Sequence, residues 1–311
     1  MKICVIMDPI ENISPKKDTS FAILLAAQER KWPIYYAEIH DLYLKGENAF
    51  AQVKQLRVTD HEKNWFSIEK TEHLALDFFD VIFMRKEPPI DQTYLHATQI
   101  LDFAEKKGVR VYNKPQSLRD YNEKLFIHHF SHLAPETLIS ANQMELRRFI
   151  STHQICVCKP LDGMGGESIF KVQNDDPNLS VILEILTQKN QKHIVCQRYI
   201  PDITQGDKRI ILINGEPIPY ALARLPQKGE TRGNLAAGGS AQGVALSKND
   251  NKICEEVGPF LKKNGILLAG LDVIGDYLTE INITSPTCVR ELEGMFKIDI
   301  TEKILQAIDK N

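Results

Sequence analysis

An excess of charge of either sign is missing from this chain: 38 Lys and Arg against 41 Asp and Glu leave a formal net charge of −3 over 311 residues. Nucleic acid as the main partner would favour a basic face, so that class is disfavoured, and any phosphate site has to be basic locally. Long apolar runs are also absent, and none approaches membrane-span length. Met1 leads at once into the strand-like run Lys2 to Met7, with no room for a secretory leader, so the expected location is cytoplasmic, with no membrane partner. The six cysteines (Cys4, Cys156, Cys158, Cys196, Cys254, Cys288) include no Cys-x-x-Cys, which points to buried free thiols rather than zinc or disulfides. The nine histidines lack metal-ligand spacing, and no Ser–His–acid or Cys–His constellation stands out. There is no internal repeat.

What is present is a glycine cluster. Lys159-Pro160-Leu161-Asp162-Gly163-Met164-Gly165-Gly166-Glu167-Ser168 lies between two short strand-like runs, Gln154 to Lys159 and Ser168 to Val172. Glycines that join strand to strand are neither a dinucleotide fingerprint, which needs a following helix, nor a Walker A loop, which needs Gly-Lys-Ser/Thr. A flexible flap remains, whose bare backbone N–H groups can approach phosphate oxygens while Lys159 supplies a point charge. An ordinary Gly-rich hairpin with a surface lysine is the other reading of the same residues.

Along the chain, the strand Lys2 to Met7, a helix from Thr19 to Arg30 capped by Asp18 or Thr19, the strands Ile34 to Ile39 and Val81 to Met84, a hairpin-like Phe50 to Val58, a helix Asp91 to Lys107 and the strand Val109 to Tyr112 alternate as βαβ. They predict a mostly parallel sheet over residues 1 to about 120. Lys16-Lys17 follow the first strand, where open sheets hold ligands, or form a solvated turn. A bridging helix Pro115 to Phe130 carries Lys124. A compact α+β lobe follows, with helices Asn142 to His153 and Asn178 to Gln188 and a strand His193 to Ile200. Asp207 to Ile213, the turn Asn214-Gly215 and Ile218 to Leu225 predict a hairpin bearing Arg209 and Arg224. Pro226 to Gly243 is long, polar and Gly-rich, and is expected to be a mobile lid carrying Arg232. A helix Lys248 to Asn264 is capped by Ser247 and bent at Gly258-Pro259. The last strands hold Asp272, Glu280 and Asn282. A two-residue turn would pair Asp272 with Thr279, so a three-residue connection, Gly275 to Tyr277, is expected: it pairs Asp272 with Glu280 and puts Asn282 on the same face, directed at the glycine flap. Ser285-Pro286 reads as the N-cap and first turn of a final helix pair.

Lys124, Lys159 before a glycine flap, Asp272 and Glu280-x-Asn282 before Ser-Pro together resemble the ATP-grasp superfamily. Within it, Met7-Asp8-Pro9-Ile10, Lys17-Asp18, Met84-Arg85-Lys86, Asn113-Lys114-Pro115-Gln116-Ser117-Leu118-Arg119-Asp120, Thr231 to Gly239 and Thr279 to Asn282 resemble the bacterial glutathione synthetases over nearly the whole chain. The resemblance implies an α/β (α+β) ATP-grasp fold in three parts. These are a Rossmann-like parallel-sheet substrate domain (1–122), a small α+β lid lobe with the flap (123–200), and a C-terminal antiparallel-sheet lobe with the metal site and the loop 226–243 (201–311). It implies ATP-dependent joining of γ-glutamylcysteine and glycine, with Mg²⁺ or Mn²⁺, in a homotetramer. Lys124, Lys159, Gly163, Met164, Gly165 and Gly166 would hold phosphates; Gln197, Arg198, Tyr199 and Ile200 adenine; and Asp207 would lie near the ribose. Asp272, Glu280 and Asn282 would hold metal. Arg209, Arg224 and Arg232 would face the reacting groups, and Lys17 and Arg85 the dipeptide. Apart from the resemblance, the helix N-terminus expected at Ser285, Pro286 and Thr287 presents unpaired N–H groups that either bind glycine's carboxylate or form a plain structural cap. Family members often carry an arginine directly after the second lid glycine; Ser240-Ala241 stands here, and no phosphate contact is assigned to it.

The chemistry asks for these residue types independently. A carboxylate is a poor electrophile until ATP converts it to an acylphosphate, and phosphoryl transfer needs cations and positioning more than a side-chain nucleophile. An acylphosphate also needs shelter from water, hence a flap and a lid. Another ATP-grasp amino-acid ligase, or a non-catalytic ATP-binding protein of this fold, shares part of the pattern.

Overall fold

A computed structural model describes residues 1–227, 233 and 238–309. The first sheet consists of β1 (Ile3–Ile6), β2 (Ile34–Ala37), β3 (Leu42–Lys45), β4 (Asn48–Val58), β5 (Phe66–Ala75), β6 (Val81–Met84) and β7 (Arg110–Tyr112). Its centre is parallel: β1 pairs with β2 and β6, and β6 with β7. These apolar runs are covered on both faces, as parallel strands must be. α1 (Thr19–Glu29), capped by Asp18, lies in one core cluster and α2 (Gln92–Lys106), capped by Asp91, in the other.

Two expectations need correction here. Phe50 to Val58 is not a hairpin but part of one long strand, β4, with β5 antiparallel along it. β5 escapes a sequence reading because it is mostly exposed and its Glu-Lys-Thr-Glu centre carries no apolar alternation. The bridging helix Pro115 to Phe130 stops early as α3 (Pro115–Asp120). Asn122 Oδ1 accepts from Lys124 N and Leu125 N at 3.0 and 3.2 Å, an Asx turn that diverts the backbone and leaves Lys124 in a bend.

The second sheet has order β10-β9-β11-β8, from β8 (Thr137–Ser140), β9 (Ile155–Pro160), β10 (Phe170–Gln173) and β11 (Ile194–Arg198), with α4 (Gln143–His153) and α5 (Leu179–Leu186). β9 and β10 are antiparallel, so the glycine segment between them is a strand-to-strand flap. The third sheet, β14-β13-β12-β15-β16, contains β12 (Asp207–Ile213), β13 (Glu216–Leu225), β14 (Ser240–Ala245), β15 (Leu268–Ile274) and β16 (Tyr277–Asn282). Ser240 to Gly243, expected within the lid, is therefore strand. α6 (Lys248–Lys263), α7 (Val289–Phe296) and α8 (Ile300–Asp309) complete the chain.

Core packing groups these sheets unequally. Ile210 and Leu212 of β12 join the α2 cluster while Ile211 and Ile213 join the α1 cluster, so the first and third sheets share both cores. The second sheet and its helices bury a separate cluster of their own. A lobe with its own core can rock as a unit, which suits the element that carries the flap. All six cysteines are free and buried, and among the described residues no helix is long and apolar enough to cross a membrane.

The Asn214-Gly215 turn forms as the dipeptide predicts, and it explains Gly258. A Cβ on Gly258 would lie 2.1 Å from Gly215 O, so α6 and the turn touch backbone to backbone. Gly258→Ala is expected to cost roughly 2–3 kcal/mol by overpacking, read as a lower urea midpoint at unchanged slope. A midpoint equal to that of the parent protein would refute the contact.

Candidate active site

β15 and β16 place Asp272 opposite Glu280 and Gly270 opposite Asn282, so the three side chains share one face as expected. The route is different. Ile274 pairs with Tyr277, so the connection is the two-residue turn Gly275-Asp276, which Gly275 permits at φ 57°. Val273 then pairs with Leu278, and Thr279 is the extra residue of a bulge, its Oγ1 donating to Asp272 O at 3.1 Å. The bulge restores the register that a plain two-residue hairpin would lose.

Lys159, at the end of β9, and Lys124 both reach Glu280 Oε1, at 3.3 and 3.5 Å. Lys124 Nζ also donates to Gly163 O at 2.6 Å, tying the flap to the hairpin. Burial would raise the Glu280 pKa, but the two ammonium groups outweigh it and hold it low. On the other side, Arg209 grips Asp272 through Nε and Nη2 at 2.5 and 2.9 Å, and Arg224 Nη2 reaches Oδ2 of the same carboxylate at 2.9 Å. Burial acts against ionisation of Asp272 and the two guanidiniums more than offset it, leaving its pKa well below the usual range. Asp207 accepts from Arg224. There burial, with repulsion from Asp272, wins over the arginines and pushes the pKa up to about 6.

The donor set suits a hard divalent cation in part. Asn282 Nδ2 donates to Asp272 Oδ2 and Gly270 O at 3.2 and 3.3 Å, which turns its carbonyl oxygen away from them. Glu280 and Asn282 therefore offer oxygens. Both Asp272 oxygens are engaged by arginine, so Asp272 fits a metal only if those pairs rearrange.

Two clefts meet at Glu280. One, between the second and third sheets, is lined by Lys124, Lys159, Gly163, Met164, Gly165, Gly166, Gln197, Arg198, Tyr199, Ile200, Asp207, Asp272 and Glu280, and Gly233 reaches it as well. The other, of about 640 Å³, opens toward the first sheet and is lined by Lys17, Arg85, Arg209, Arg224, Asn282, Ser285, Pro286 and Thr287. The residues singled out in the sequence thus gather in two adjoining pockets. Arg232 and half of the expected lid lie outside the described residues. Arg85 is committed to the protein itself: Nε donates to Ser20 Oγ at 3.1 Å and Nη2 to Pro286 O at 2.9 Å. The Ser285-Pro286 cap is overturned. α7 begins at Val289, with Cys288 before it at φ 84°, so Ser285 to Thr287 form a loop on the cavity wall. Glu123, Cys288 and Glu291 line that cavity too and carried no sequence signal.

A flap over paired lysines, facing a carboxylate hairpin across an interlobe cleft, is the arrangement of ATP-grasp ligases, which use ATP to join a carboxylate to an amine. Solved structures agree on the fold. The D-cycloserine synthetase DcsG aligns over 99% of both chains with a TM-score of 0.67 at 12% identity. The ATP-grasp ligase PsnB, complexed with a precursor peptide and AMPPNP, covers 99% of this chain and 97% of its own with a TM-score of 0.63 at 15% identity. Sequence models are narrower: residues 1–119 match the N-terminal domain, and 123–297 the ATP-grasp domain, of prokaryotic glutathione synthetase. The glutathione synthetase of Yersinia pestis is 51% identical over 311 residues, covering 100% of this chain and 98% of the relative. That of Escherichia coli strain K12 is 51% identical over 309 residues, covering 99% and 98%. The chain belongs to the prokaryotic glutathione synthetase family, and it is an ATP-dependent ligase of glutathione synthesis.

Proposed function

We propose that the two clefts divide the reaction between them, with ATP between the second and third sheets and γ-glutamylcysteine and glycine in the cavity toward the first, and that 1–122, 123–200 and 201–311 act as substrate, lid and metal-bearing units. The supporting observation is that Glu280 and Lys124 line both clefts, with Lys159 of the first cleft 3.3 Å from Glu280. Lys124, Lys159 and the flap N–H groups would draw the γ-phosphate to this junction. Arg198 N and Tyr199 N already donate to Glu136 O and Ile155 O at 2.9 and 3.1 Å, so the purine-edge donor falls to Ile200. Asp207 would sit toward the ribose. Arg209 and Arg224 would face the dipeptide carboxylate and stabilise charge as it becomes an acylphosphate. Lys17 and the Ser285 to Thr287 loop would hold substrate carboxylates, and Arg85 would set that loop through Pro286 O. Arg232 is proposed as the lid cation. A divalent cation, Mg²⁺ or Mn²⁺, held by Glu280 and Asn282 with Asp272 beside them, would neutralise ATP phosphate charge. A homo-oligomer, and a cytoplasmic site of action, fit the same reading.

ADP release tests it. With γ-glutamylcysteine and glycine together, turnover with stoichiometric ADP is expected, and with glycine alone none. No release with both would overturn the assignment; equal release with other amino-acid pairs would favour another ligase of the superfamily.

A further inference from the structure

The Asn113 to Asp120 run is prominent in the sequence, yet none of its residues lines the two clefts. β16 is last paired at Asn282, opposite Gly270. Continuing that register would put Leu268 opposite Thr284. Instead the Asn113 side-chain amide is wedged between the strands: Nδ2 donates to Leu268 O at 2.8 Å and to Ile283 O at 2.5 Å, and Oδ1 accepts from Leu268 N at 3.0 Å. On the other side, Glu123 Oε1 accepts from both Ile283 N and Thr284 N at 2.9 Å. Glu123 O accepts from Ile281 N at 3.1 Å. Ile283 and Thr284 are 0% and 1% exposed, so their backbone groups need partners from the protein.

We infer that Asn113 and Glu123 are positioning residues: they replace the strand partner beyond Asn282, splay the chain off β15, and so set the Ser285 to Thr287 loop at a fixed offset from Glu280 and Asn282. The inference rests on the proposal that this loop meets the amino-acid substrates. Asn113 lines neither cleft and Glu123 lines the cavity toward the first sheet but not the nucleotide cleft, whereas the proposed nucleotide contacts, Lys124 and Asp207 apart, come from the second sheet and flap. Its loss should therefore misplace substrate rather than ATP.

The test compares Glu123→Ala with Glu123→Gln, whose amide oxygen keeps both acceptor bonds. Glu123→Ala is expected to raise KM for the dipeptide or glycine, or to lower kcat, by about tenfold or more, with ATP affinity within about twofold of the parent; Glu123→Gln should return to within about threefold. Hydrogen exchange of the Ile283 and Thr284 amides should accelerate in Glu123→Ala and not in Glu123→Gln, a readout that holds even if the parent protein fails to turn over these substrates. Equal impairment in both variants would mean that the carboxylate charge acts directly and would overturn the inference, as would unchanged exchange and kinetics in Glu123→Ala. Parallel loss of ATP affinity would do the same, since the wedge would then serve the whole site.

Discussion

Glu280→Gln is expected to lower ADP formation by about 10³-fold, because the substitution removes the one carboxylate that two buried lysines and the proposed cation site share. Stability should respond as well. Lys124 and Lys159 are 6% and 7% exposed, and without Glu280 two ammonium groups face each other with no anion between them. A fully buried pair broken on one side costs about 3–5 kcal/mol; the Glu280 side chain keeps 19% exposure, so roughly 1–3 kcal/mol is expected here. ATP should reverse that part of the loss, since its phosphates offer the same lysines a new counter-charge. A melting experiment with and without ATP separates the effects: the variant should gain more from ATP than the parent protein does. Parental turnover in Glu280→Gln would require withdrawing the site.

Arg209→Ala carries the largest expected loss of stability, about 3–5 kcal/mol, because it leaves Asp272 buried without the two-point partner that grips it. Arg209→Lys keeps the charge but cannot form the two-point grip and should lie between. The acid response gives a second check. The Asp272 pKa is lowered in the folded protein, so it adds stability above the ordinary carboxylate pKa that is lost as pH falls through the folded value. Weakening the arginine grip brings that folded value up, so acid unfolding of Arg209→Lys should begin at higher pH. Gly270→Ala approaches the same contact from behind, since a Cβ there would meet Arg209 Cδ at 2.7 Å. An unshifted acid limb in Arg209→Lys would show that Asp272 does not depend on this arginine.

Much of this protein is legible in its residues one stretch at a time. The flap is readable because glycines between two apolar runs report local backbone freedom, and the helix starts because Asp18, Asp91, Asn142 and Ser247 each cap the helix that follows. The basic and acidic residues of the site carry chemistry that phosphoryl transfer requires wherever they fold. Those signals act over a few residues, so the chain shows them without its partners. Tertiary structure alone decided the rest. Thr279 bulges because the core fixes Leu278 and Ile281 inward on either side of it, and no local signal distinguishes that from a three-residue turn. Asp272 meets two arginines 63 and 48 residues away on adjacent strands of one sheet. The chain leaves β15 after Asn282 because Asn113 and Glu123, 170 and 160 residues from Ile283, take up the backbone groups of Ile283. Pairings of that range are set by which cores close around them, and a buried polar group accepts whichever partner the closed core delivers.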